Sequence, residues 1–261
     1  MARNTPFRAA LIGGSAILAL VATSAQAQDV PGGDASDEEI VVTARKVEEK
    51  LQDVPIAVTA LSGAALEARG IGSVTELSRV SPNLQFTPGQ GGNSGAIAPF
   101  IRGVGENDFI ITSDPAVGTY FDGVYVARTF GASAELLDVE RIEVLRGPQG
   151  SLFGKNTIGG AINVISKLPG DTTELSGDAR YGSYNDVRLR ARVSVPLGEG
   201  LAISLSGLGE WGDGWQHIPS GKDLGNRNVI TGKAVLRYQS GPFEAIWSAD
   251  ALRRRQNSAA H

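Results

Sequence analysis

Cysteine is absent from the 261 residues. That excludes a disulfide framework, a thiolate zinc site and thiol chemistry. Only two histidines occur, His217 and His261, so a histidine-rich metal site or a Ser-His-Asp triad is poorly supplied. There is no basic surplus for nucleic acid: 24 Lys and Arg against 28 Asp and Glu leave a net charge of −4. Past residue 27, no apolar run approaches the roughly 20 residues of a membrane helix. Any insertion of the later chain into a bilayer must therefore use strands. Enzyme motifs also fail on inspection. The stretch "GPQGSLFGKN" lacks a phosphate-binding loop's first glycine, which falls on Gln149, and Asn156 stands where Ser or Thr is needed. "GGNSGA" is no nucleophile elbow, because Ala96 occupies the position two after Ser94. The expectation is a protein without catalytic residues, cofactor or metal site of its own.

What is plentiful is glycine, at 34 residues, which suits turns and hairpins better than helices. The first 27 residues read as a secretory signal peptide. Arg3 and Arg8 precede an apolar stretch that closes on Ala25-Gln26-Ala27. A membrane anchor is the alternative, but the run is short and no stop-transfer charges follow. Residues 28–46 form an acidic, Pro- and Gly-containing leader that contains the β-branched "IVVTA" at Ile40–Ala44. That run has no hairpin partner nearby. It reads as the first strand of a domain, or as a peptide that joins another protein's sheet edge.

Residues 47–168 alternate strand and helix signals and predict a small α+β unit with long loops. "SGAALEARG" and "SVTELSRVSP" read as short helices capped by Ser62 and Ser73, with Gly70 and Pro82 as stops. After Pro169 the period becomes two, and five strands are predicted across 173–261. In "VRLRARVSV", Val187, Leu189, Ala191, Val193 and Val195 share one face; Arg188, Arg190, Arg192 and Ser194 share the other. In "LAISLSGLGEW", Leu201, Ile203, Leu205 and Trp211 oppose Ser204, Ser206 and Glu210. Connections alternate short and long, and Tyr181, Trp211, Tyr238 and Trp247 fall near strand ends. That is the pattern of an outer-membrane barrel. A soluble sandwich with its apolar face turned inward has the same periodicity.

Five stretches in order carry a family likeness: "EEIVVTARK", "DVPIAVT", "IRGVG", "FDGVYV" and "VERIEVLRGPQGSLFGKNTIGGAINVISK". Together they resemble the start of TonB-dependent outer-membrane transporters. The resemblance implies an α+β plug domain followed by antiparallel β-strands of an incomplete transmembrane β-barrel, located in the outer membrane. It implies that Glu39, Ile40, Val41, Val42, Thr43 and Ala44 form a TonB box, taken up by the periplasmic domain of TonB. Arg102 and Arg146, in matching "RG" contexts, are implied to anchor the plug to carboxylates of the barrel wall. The glycines at 147, 150, 154, 159 and 160 are expected to let the backbone turn and approach a wall closely. Gln90, Asn93, Asn107, Asp108, Phe109 and Asp114 lie on long plug loops and are candidates for contact with a nutrient such as an iron chelate. Outer-membrane lipid would surround a completed barrel.

Five strands fall short of the roughly eight in the smallest membrane barrels. The expectation is therefore an N-terminal portion that does not transport by itself. The rival reading is a soluble periplasmic ligand- or TonB-binding plug module. The alternating strands after residue 170 argue against it.

Overall fold

The computed structural model describes residues 41–257 apart from 45, 48, 89–96, 108–112, 128–135, 219–220 and 222. The expected signal peptide, residues 1–27, and most of the expected leader lie outside the described residues. No described helix is long and apolar enough to cross a membrane.

The first part of the chain is built on a mixed five-stranded sheet. Its members are β3 (Ala57–Ser62), β7 (Val117–Phe121), β8 (Val124–Tyr125), β9 (Val139–Arg146) and β10 (Gly160–Ser166), in the order β3-β9-β10-β7-β8. All pairs are antiparallel except β10 with β7. A second sheet joins β4 (Leu84–Pro88), β5 (Ile97–Ile101) and β6 (Val104–Gly105). The sequence "IVVTA" does find a hairpin partner: β1 (Val41–Val42) pairs antiparallel with β2 (Glu49–Lys50), contrary to expectation. The six residues between them suffice for a return that local composition does not advertise.

Side chains alternate across β9, so its two faces serve two cores. Ile142 and Val144 enter the larger core with Leu61, Leu66, Ile71, Val74, Leu77 and Ile162. That face is covered by α1 (Gly63–Ala68) and a 3-10 turn at Val74–Arg79. Ser62 caps α1 as expected, accepting from the Ala65 N–H at 3.2 Å, and Gly70 turns at φ +65°. Ser73 differs from expectation. Its hydroxyl meets the Thr75 hydroxyl at 2.8 Å, and the segment winds as 3-10. Val74 and Leu77, three apart, stack on one side and both are fully buried. The other face of β9 carries Glu143 and Leu145. There a smaller core gathers Val42, Ala44, Val54, Ala60, Tyr120 and Ala161.

The second part is an antiparallel meander. It comprises β11 (Glu174–Gly182), β12 (Asp186–Gly198), β13 (Leu201–Gly212), β16 (Arg227–Ser240) and β17 (Phe243–Arg254), hydrogen-bonded in that order. A small hairpin, β14 (Gln216–His217) with β15 (Asp223–Leu224), rides on the long connection between β13 and β16. The sheet is open among the described residues, with β11 and β17 at its edges.

The direction of this sheet decides between the two readings of its periodicity. Arg188, Arg192, Ser194, Ser204, Ser206 and Glu210 are all buried, while Leu189, Leu205 and Trp211 on the opposite face are exposed. The polar row points at the first part of the chain and the apolar row points out, the reverse of a soluble sandwich. Aromatics mark both ends of the outward face. Tyr181 and Trp211 both stand beside Val187, while Tyr238 packs on Phe243 with ring centroids 6.4 Å apart. From Asn228, opposite Trp211, to Tyr238 the rise along β16 is about 33 Å, or roughly 25 Å once tilted by about 40°. That matches the apolar band of an outer-membrane wall.

Candidate functional site

The smaller core is closed by the leader. Val42 and Ala44 are fully buried in it, beside Leu145 and Tyr120. Between them, Thr43 turns to the sheet. Its N–H donates to Oε1 of Glu143 at 2.7 Å and its hydroxyl donates to the same oxygen at 3.1 Å. Arg141 Nε donates to that oxygen at 3.0 Å, and Asn163, across the strand pair, donates to Oε2 at 3.5 Å. Glu39 and Ile40 lie outside the described residues; Val41, Val42, Thr43 and Ala44 form this docked segment.

The glycine-studded stretch supplies a platform for the leader. Residues Gly150–Phe153 wind into a short helix, α2, which the glycine content conceals. Phe153 receives Lys46 over its ring at 5.6 Å and packs edge-on against Tyr120 at 5.1 Å. The Tyr120 hydroxyl donates to the Phe153 carbonyl at 2.7 Å; burial, then the neighbouring Tyr125, raises its pKa. The close approaches that need glycine are internal. A Cβ on Gly160 would sit 2.2 Å from the Leu145 carbonyl oxygen, and one on Gly159 would sit 2.8 Å from that of Val104. The backbone that these two glycines approach is β9 and β6, not the outer sheet.

Arg102 and Arg146 occupy different settings. Arg102 stands exposed at the tip between β5 and β6, at φ +53°. Arg146 ends β9 half-buried, with its Nε buried and unbonded. Neither meets a carboxylate among the described residues. The contacts between the two parts run with the opposite polarity: cations of the outer sheet reach carboxylates and carbonyls of the inner unit. Arg192 Nε lies 2.5 Å from Asp138 Oδ1, a contact ion pair misaligned for a hydrogen bond, and Ser206 donates to Asp138 Oδ2 at 3.2 Å. Arg190 pairs with Glu67 at 2.9 Å. Lys233 pairs with Asp122 at 2.9 Å, whose carboxylate also takes the Ser166 N–H at 2.7 Å. Arg188, paired with Glu210 of its own sheet at 3.2 Å, donates to the Gly72 carbonyl at 3.5 Å and lies so close that any Cβ on Gly72 would collide with its guanidinium. Sequence reasoning missed Glu67, Asp122, Asp138 and Lys233. Its one available signal was the in-line Arg row of β12, whose partners lie far along the chain.

A polar cleft of about 210 Å³ opens where these parts meet, lined by Gly72, Glu76, Arg180, Arg188, Glu210 and Arg227 among others. Of the loop candidates, Gln90, Asn93, Asp108 and Phe109 lie outside the described residues. Asn107 accepts from the Thr87 hydroxyl at 3.1 Å, while Asp114 faces Lys155 at 3.7 Å. Each meets a different neighbour among the described residues.

Residues 50–161 match the family described as TonB-dependent Receptor Plug Domain. The chain is 31% identical over 213 residues to the pesticin receptor of Yersinia pestis, covering 80% of this chain and 30% of that protein. It is 30% identical to the iron-regulated outer membrane virulence protein of Vibrio cholerae, covering 85% of this chain and 34% of that protein. Among solved structures it is similar to the ferric yersiniabactin uptake receptor FyuA from Yersinia pestis. There the identity is 30% and the TM-score 0.68, over 75% of this chain and 31% of that one. The chain thus spans about a third of the length of these relatives.

Proposed function

We propose, for a chain that belongs to the TonB-dependent receptors through its plug domain at residues 50–161, a part in energised uptake of a scarce, bulky nutrient across the outer membrane. The observation that carries this reading is the leader strand, held by a two-residue ladder at the head of a plug. Glu39–Ala44 is the segment handed to the periplasmic domain of TonB. An extended, β-branched strand adds to a sheet edge through backbone hydrogen bonds, which tolerate sequence variation.

The polar joint between plug and wall supports the same reading. Ion pairs and hydrogen bonds exchange readily with water, whereas an apolar joint would have to expose its surface on every opening. The outward apolar face of β11–β17 is the surface for outer-membrane lipid. Arg102 and Arg146 are assigned to anchoring through wall carboxylates outside the described residues. Gln90, Asn93, Asn107, Asp108, Phe109 and Asp114 are assigned to cargo. Relatives named for ferric yersiniabactin uptake and for iron regulation favour an iron–siderophore complex as that cargo. No catalytic role is assigned.

The test is a pull-down with the periplasmic domain of TonB. Val42→Pro removes a backbone donor and restricts its neighbour, so binding should be lost. Val42→Thr keeps the backbone and should bind nearly as the parent does. Equal binding by Val42→Pro and the parent would defeat strand addition.

A further inference from the structure

We infer that Glu143 is a latch on the partner-binding strand: it positions Thr43 in the plug and withholds that strand from any other sheet edge. The inference rests on the reading of Glu39–Ala44 as the TonB-binding segment.

Glu143 is anomalous where it stands. It lies in the middle of β9, with no exposure, between Ile142 and Val144, which are equally buried. A buried carboxylate lowers stability unless it is fully partnered, and an apolar residue would serve the core better. Two of its contacts come from one leader residue, the N–H and the hydroxyl of Thr43. A backbone N–H given to a carboxylate is unavailable to a sheet edge. Val42, beside it, is already paired with Glu49. The docked segment is therefore occupied on two counts, by β2 and by Glu143.

Release is reversible for a definite reason. When Thr43 leaves, the carboxylate keeps Arg141 Nε at 3.0 Å and Asn163 at 3.5 Å, so it is not stranded without partners. Arg141 also reaches the Thr43 hydroxyl at 3.4 Å and Glu140 at 2.6 Å, so it is held in place to take over. A residue that only strengthened the plug would need no such standby.

The chain has no cysteine, so a single introduced thiol reports cleanly. Val42→Cys, in the full chain in detergent micelles, reads opening of the leader strand by maleimide labelling. Val74→Cys, buried in the larger core, reads general loosening. Replacing Glu143 by Gln weakens two charge-assisted hydrogen bonds to neutral ones, which corresponds to about a tenfold larger open fraction. Labelling at position 42 should rise about tenfold, with position 74 unchanged. Affinity for the TonB periplasmic domain should rise by a similar factor, because apparent affinity scales with the competent fraction. Glu143→Ala should exceed Glu143→Gln in both readouts. No change at position 42 would overturn the latch. So would a parallel rise at position 74, which would make Glu143 a core strut. Faster labelling at 42, with no TonB binding by parent or variant, would uphold the latch and remove the partner assigned to the strand.

Discussion

The pair Arg192–Asp138 tests whether wall cations hold the plug. Both side chains are nearly inaccessible, at 8% and 2%. Arg192→Met keeps the aliphatic stem and removes the charge. Among the described residues, the Asp138 carboxylate then retains only the Ser206 hydroxyl at 3.2 Å. Losing one partner of a buried pair costs about 3–5 kcal/mol, and the remaining hydroxyl puts the loss near the lower end, about 3 kcal/mol. The reverse change is milder. With Asp138→Asn, Arg192 still reaches Glu174 at 2.9 Å and the Leu168 carbonyl at 3.4 Å, so about 1 kcal/mol is expected. The double variant should fall well short of the sum, with a coupling of about 2 kcal/mol. Hydrogen exchange of the β9 amides, with the chain in micelles, reads the opening. Arg192→Met should lower protection about a hundredfold and Asp138→Asn about fivefold. Equal losses of less than twofold, or strict additivity in the double variant, would refute the anchor.

Gly160→Ala places a Cβ 2.2 Å from the Leu145 carbonyl at φ +147°, and should cost roughly 2–4 kcal/mol from overpacking and strain. Gly150→Ala, with open space around its Cβ at the start of α2, should be neutral or stabilising by up to about 1 kcal/mol; denaturant melts of the two variants check the contrast. Leu205→Arg, on the outward face beside Val193 and Ala234, should lose about 2–4 kcal/mol in phospholipid, and an unchanged unfolding midpoint there would deny that this face meets lipid. Arg102→Ala with Arg146→Ala should cost about 0.5 kcal/mol or less by urea titration of this chain, since neither meets a carboxylate among the described residues; a loss above about 2 kcal/mol would place their partners inside the plug.

Local chemistry made much of this protein legible from its residues. The two-residue period of 173–254 predicts the five wall strands, because alternation follows from the pleat alone. Ser62 caps α1 because its hydroxyl needs only the N–H three residues on. Ser73 escaped the same logic, since burial of Val74 and Leu77 in the larger core favours the tighter turn. The α2 helix escaped because four residues set among glycines carry no periodic signal.

Which face of the wall turns inward was open to tertiary structure alone. Alternation looks the same with either face in, and the choice rests on whether carboxylates wait opposite the cations of the wall. Glu67, Asp122 and Asp138 do, but nothing in the order of residues pairs them with Arg190, Lys233 and Arg192. The docking of the leader is of the same kind. Glu143 and Thr43 stand 100 residues apart, and only the assembled sheet brings a carboxylate under that N–H. Contacts between neighbours in sequence are written in local propensity. Contacts across the fold depend on which surfaces the whole chain buries together, and there the packing decides.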